Sequence, residues 1–124
     1  MSYSIKEVCE KTGLSEHTLR YYEKEGLLPG ISRSTGGNRR YEDEDLERLE
    51  LIICLKHTGM SLHEISHFVK LALQGDETLK ERCELLNAQR SHILALMDEM
   101  QHHLDKVTHK LACYRQKLAE YEKE

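Results

Sequence analysis

"SIKEVCEKTGLSEHTLRYYEKEG", Ser4 to Gly26, decides how the chain is read. Ser4 and Glu7 have the spacing of a capping box. The serine caps the helix amides while the glutamate reaches back to the cap. The helix they open carries Ile5, Val8 and Cys9 on one face and stops near Gly13. Ser15 then opens a second helix that ends at Gly26. Two short helices joined by "TGLS" spell a helix-turn-helix.

The next stretch, "LLPGISRSTGGNRRY", cannot continue as a helix. Pro29, Gly30, Gly36 and Gly37 favour a turn or hairpin. A third helix starts in the acidic cluster Asp43, Glu44 and Asp45, which suits the positive end of a helix dipole. It runs to Thr58, with Gly59 as its stop. Ser61 and Glu64 form another capping box. The helix they open packs Leu62, Ile65, Phe68, Val69 and Leu73 and stops near Gly75.

Thr78 with Glu81 opens the last helix. Its apolar positions are Leu79, Cys83, Leu86, Ile93, Met97, Met100, Leu104, Val107, Leu111, Tyr114, Leu118 and Tyr121. They recur in steps of four and three, with Arg90 the polar interruption. This is a sustained heptad pattern. The predicted helix is about 43 residues, or roughly 65 Å. A small domain cannot cover such a stripe, so a second copy of the chain is the simplest partner. The expected division is a DNA-binding domain over residues 1–75 and a dimerisation helix over 76–124.

Composition bounds the function. The chain has 124 residues, 32% of them charged, and a net charge of −4. Nucleic-acid binding cannot rest on that overall charge. Locally, Ser32 to Tyr41 holds Arg33, Arg39 and Arg40 and no acid. Such a basic patch binds phosphate within an acidic protein. The four cysteines, Cys9, Cys54, Cys83 and Cys113, are widely and irregularly spaced. That is unlike a disulfide framework, and no apolar run spans a membrane, so a cytoplasmic protein with free thiols is expected.

The residues placed to meet DNA follow from this layout. Arg20 suits a phosphate or a guanine edge. His17 and Thr18 lie near the helix start, where base readers sit. Tyr21 and Tyr22 are adjacent and cannot both face the core, so Tyr22 is expected inward and Tyr21 on a phosphate. The hairpin with Arg33, Asn38, Arg39, Arg40 and Tyr41 reads as a wing against the backbone, or else as a solvated basic loop.

"LRYYEKEGLL" followed by "R…GGNRRY" resembles the MerR family of bacterial transcription regulators. The resemblance runs from residue 3 to about 70, and the long helix extends it. It implies an all-α fold with a small wing hairpin: a winged helix-turn-helix domain and an antiparallel coiled-coil dimer. It implies a homodimer on double-stranded promoter DNA that distorts an overlong spacer so that RNA polymerase engages. Arg20, Tyr21, Arg39 and Tyr41 fall on the family's DNA-contacting pattern, and Lys56 on its second wing. The chain departs from the family at Glu42, where a Ser or Thr cap is usual.

What the regulator senses is a separate question. The chain leaves no length for a bulky-ligand domain after the coil, so a small effector is expected, with no cofactor. "LIICLKHTGMS" with "GDET" resembles a thiol-based MerR branch responding to aldehydes or nitrosative or oxidative stress, in which Cys54 is the sensor. Lys56 and His57 favour its thiolate. Against that, the aliphatic neighbours suggest burial, and the helix C-terminus disfavours an anion. The alternative is a metal-responsive regulator using Cys83 and Cys113 across the dimer. Its spacing does not supply the four ligands of a tetrahedral site, so no metal residues are assigned. Cys9 reads as core. An enzyme built on Cys54 and His57 lacks an orienting group and oxyanion donors. A plain coiled-coil adaptor leaves the arginine-rich wing unexplained.

Overall fold

The computed structural model describes residues 2–29, 32–33, 37 and 39–123, with residues 32 and 33 described by their backbone. In chain order the elements are β1 (Ser2–Ser4), α1 (Ile5–Thr12), α2 (Glu16–Lys24), β2 (Ser32–Arg33), β3 (Arg39–Glu42), α3 (Asp43–His57), α4 (Leu62–Leu73), a 3₁₀ turn (Asp76–Thr78) and α5 (Leu79–Lys123). Two compact units result, residues 1–86 and 87–124.

The helix ends are satisfied by the residues that mark them in sequence. Ser4 Oγ accepts from the Glu7 amide at 3.2 Å, and Glu7 Oε1 accepts from the Ser4 amide at 3.0 Å. Ser61 and Glu64 repeat the box at 3.1 and 3.2 Å. Both carboxyls are held below the usual carboxylate range, first by the bond from the cap backbone amide. Gly13 ends α1 with φ +78°, which brings its amide to the Cys9 carbonyl at 2.8 Å. Glycine takes that left-handed geometry without a Cβ penalty.

The wing hairpin is part of a three-stranded antiparallel sheet in the order β1-β3-β2. Tyr3 pairs with Tyr41 and Ser4 with Arg40, while Arg33 pairs with Arg39. Strand β1 is an addition to the expected hairpin. The Tyr3 hydroxyl donates to Asp43 Oδ1 at 2.8 Å, tying β1 to the start of α3. That start also resolves the departure at Glu42. Asp45 Oδ2 accepts from the Glu42 amide at 2.8 Å, so an acidic residue three positions on holds the helix end.

The core lies within the first unit. Val8, Leu19, Leu27, Leu28, Tyr41, Leu49, Ile52 and Ile65 are fully buried, and Leu55, Phe68 and Val69 join them. Cys9 packs against this cluster, as expected, and burial pushes its thiol pKa up. A fully buried Leu or Ile side chain is worth roughly 1.5–3 kcal/mol, so these residues dominate the stability of the unit.

Two expectations need correction here. Leu73 is exposed, because it is the last residue of α4 and lies past the end of the core; Leu71 is buried instead. The Thr78 hydroxyl does not serve the expected forward box. It donates back to the Leu71 carbonyl at 2.6 Å and accepts from Arg82 Nε at 2.9 Å. Arg82 also donates to the Gly75 carbonyl at 2.9 Å. These bonds fasten the opening turn of α5 to the end of α4, and Leu85 packs against the core from the same turns.

The second unit is a helix with its apolar stripe uncovered. Met97, Met100, Leu104, Val107, Leu111, Tyr114, Leu118 and Tyr121 are all exposed in the single chain. No described helix is long and apolar enough to cross a membrane.

Candidate nucleic-acid interface

Helix α2 divides its residues cleanly. Leu19 and Tyr22 are buried, while His17, Arg20 and Tyr21 are exposed. The inward Tyr22 and outward Tyr21 agree with the sequence reading. Their rings meet at 6.3 Å and 47°, and Tyr21 keeps 42% of its surface open. It also lines a cleft of about 280 Å³ with Leu27, Leu62 and His63, which sets α2 beside the start of α4.

Two polar side chains on α2 are already oriented. Arg20 is paired with Glu16 at 3.2 Å, one turn earlier. Both side chains are half exposed, so the pair steers the guanidinium more than it stabilises the helix. Thr18 is half-buried. Its hydroxyl accepts from Ser15 Oγ at 3.0 Å, so Thr18 completes the cap. His17 is exposed in the first turn, where a ring can reach a groove floor.

The wing is locked to this helix. Arg39 Nε donates to Glu23 Oε2 at 2.6 Å, a half-buried ion pair joining β3 to α2. Arg40 donates to Ser2 Oγ at 2.8 Å, joining β3 to β1. The structure thus brings Arg39 next to the α2 surface and gives Arg40 a role in holding the sheet. Sequence reading did not find Glu23 or Ser2 as partners, since neither sits at a local spacing to its arginine.

Tyr41 requires a correction. It is only 1% exposed, and its hydroxyl is buried without a hydrogen-bond partner among the described residues. Burial pushes its pKa up, with Glu23 adding to the shift. A DNA contact from this position would need the core to open, so Tyr41 is a core residue under the wing. Arg33 has its backbone in β2 opposite Arg39, and Asn38 lies outside the described residues. Lys56 is exposed in the last turn of α3.

Cys54 also departs from the local expectation, because it is exposed and not packed. Leu49, Ile52 and Leu55 form the buried stripe of α3. At about 100° per residue, Cys54 lies about 200° around the helix from Ile52. Its carbonyl accepts from the Thr58 amide at 3.1 Å and from the Thr58 hydroxyl at 2.8 Å, which caps the helix end. Cys83 is exposed, and Cys113 is half-buried with its sulfur 3.7 Å from His109 Nε2.

The description "MerR HTH family regulatory protein" matches residues 3–71, and "MerR, DNA binding" matches residues 46–110. An uncharacterized HTH-type transcriptional regulator of Haemophilus influenzae is 43% identical over 119 residues, covering 96% of this chain and 88% of the relative. A probable heavy metal-dependent transcriptional regulator of the same organism is 35% identical, covering 87% of this chain and 81% of the relative. The crystal structure of HiNmlR, a MerR family regulator lacking the sensor domain, bound to promoter DNA, superposes with a TM-score of 0.88 at 43% identity. It covers 93% of this chain and 87% of that one. A helix-turn-helix with a wing locked to its second helix, matched along this length, identifies the chain as a DNA-binding transcriptional regulator of the MerR family, not an enzyme.

Proposed function

We propose that the chain acts as a homodimer on promoter DNA and changes the DNA's shape when Cys54 is modified. The supporting observation is the solvent-exposed thiol at the end of α3, followed by exposed Lys56 and His57. An electrophile or oxidant can reach the sulfur without local unfolding. Burial, the main argument against a sensor from the local sequence, does not apply to an exposed side chain. A modified Cys54 adds bulk two residues from Lys56, on the second wing. Altered wing contacts then change the bend that RNA polymerase meets, since bending energy is offset by the contacts it permits. His17, Arg20, Tyr21, Arg39 and Arg40 make up the proposed DNA-facing set on α2 and the wing, with Lys56 beside the thiol. A cytoplasmic location accords with free thiols.

Promoter transcription with purified protein tests this. Aldehyde, nitrosothiol and hypochlorous acid are each added to the native chain and to Cys54→Ser. The proposal predicts a response in the native chain that the variant lacks. A variant that responds like the native chain refutes it.

A second reading has one observation in its favour. Cys113 and His109 stand one helical turn apart with donor atoms 3.7 Å apart, and a heavy metal-dependent regulator is among the similar proteins. Loss of a copper or zinc response in Cys83→Ser and Cys113→Ser, with Cys54→Ser unaffected, would select it.

A further inference from the structure

We propose that Arg90 sets the register of the two-chain seam, with its guanidinium stacked on the ring of the partner's Tyr114 in an antiparallel pairing of two α5 helices. The proposal rests on the homodimer reading above and adds to it which residues face each other.

The apolar stripe of α5 recurs in alternating steps of four and three from Leu79 to Tyr121, and Arg90 is its polar interruption. In a parallel pairing each position faces its own copy, so Arg90 meets the partner's Arg90 inside an apolar seam. Two like charges in a desolvated layer repel, which disfavours that arrangement. In an antiparallel pairing the order of the steps is reversed on the second chain. The two stripes stay in contact only when a residue followed by a step of three faces one followed by a step of four. Arg90 is of the first kind, and Val107 and Tyr114 are of the second.

Two such registers leave a single stripe position uncovered. One leaves Leu79 and sets Arg90 against the partner's Tyr114. The other leaves Tyr121 and sets Arg90 against the partner's Val107. The side chain at position 90 decides between them. Against Val107 the guanidinium loses water and gains no partner. Against Tyr114 it lies over the negative face of a ring, a favoured seat for a planar, weakly hydrated cation. Arg90 and Tyr114 are both exposed in the single chain, so neither is committed to the core. Lys110 Nζ stands 5.4 Å from the Tyr114 ring centroid, so this ring already attracts a cation. A single polar layer fixes register in a coiled coil at some cost in stability. The other register slides one helix by a heptad, about 10 Å along the seam. That slip changes the spacing of the two DNA-binding units a promoter meets.

Paired cysteines read the register directly. Of the two antiparallel registers, Met100→Cys with Leu104→Cys sets thiols face to face in the proposed one, and Met97→Cys with Met100→Cys in the slipped one. Under mild oxidation of the full chain, the first variant should form disulfide-linked dimer at least about tenfold faster than the second, because a heptad offset exceeds the reach of a disulfide. The native chain gives the background from its own cysteines. Arg90→Leu, added to both variants, should bring the two rates within about threefold of each other, since the cation that selects the ring is gone. Tyr114→Leu should do the same, while Tyr114→Phe keeps the ring and should keep the preference. Circular dichroism and sedimentation verify helix content and a two-chain mass in each variant. Equal rates without Arg90→Leu, faster linkage in the slipped pair, or a preference that survives Arg90→Leu each overturn the proposal and leave the homodimer reading standing. Single chains throughout overturn both.

Discussion

The two units of this chain solve the burial problem in opposite ways. Residues 1–86 bury a closed apolar core of their own and cap most of their own helices. The heptad residues of the second unit leave theirs in water: Met100 is 67% exposed and Val107 66%. A stripe of this kind rarely persists on a monomer. The first unit is therefore the part that specifies a surface, and the second is the part that calls for a partner.

The sharpest way to break this contrast is to charge the stripe. Leu104→Glu with Leu111→Glu would place four carboxylates in the proposed two-chain seam. Sedimentation should show single chains, and DNA affinity should fall by orders of magnitude, while near-ultraviolet dichroism from the first unit is unchanged. A core truncation has the converse signature. Leu19→Ala or Ile52→Ala should cost about 2–5 kcal/mol of unfolding free energy, because each leaves a cavity in a closed core. Denaturant titration measures this, and a loss under 1 kcal/mol in both would mean that the core is loosely packed.

A smaller effect separates positioning from contact at the wing. Glu23→Ala and Arg39→Ala should each lower stability by about 1 kcal/mol, since both break one half-buried ion pair. If Arg39 also meets a phosphate, its variant alone lowers the salt dependence of DNA binding by about one unit of slope. Equal slopes in the two variants would assign Arg39 to positioning only.

The smallest effect is the pH response of the caps. Glu7 and Glu64 have lowered pKa values in the folded chain, first through the bond from the cap amide. Their contribution is therefore complete above the ordinary carboxylate range and is lost as pH falls through the lowered folded values. The melting temperature should drop in that acidic window. Glu7→Ala with Glu64→Ala should flatten the drop, and an unchanged slope would contradict the assignment.

These regions also differed in how far the sequence revealed them. Caps are local: Ser4, Gly13, Ser15 and Ser61 stand a fixed few residues from their partners, so all four were legible. The heptads of α5 were legible for the same reason. Strand β1 was not, since its three residues are too few to show alternation and their partners lie some forty positions on. That hidden strand is also why Tyr41 looked like a surface residue: the sheet that covers it cannot be read from "NRRY". Cys54 misled in the other direction. Its aliphatic neighbours look like a buried run, yet only every third or fourth of them faces the core. The wing's attachment through Arg39 and Glu23 joins residues sixteen apart, and no periodic signal marks it.

The central claim is that the uncovered stripe of α5 is a self-association seam. Sedimentation equilibrium of the native chain at micromolar concentration tests it most directly. The account predicts the mass of two 14.5 kDa chains. A single-chain mass throughout that range would contradict it.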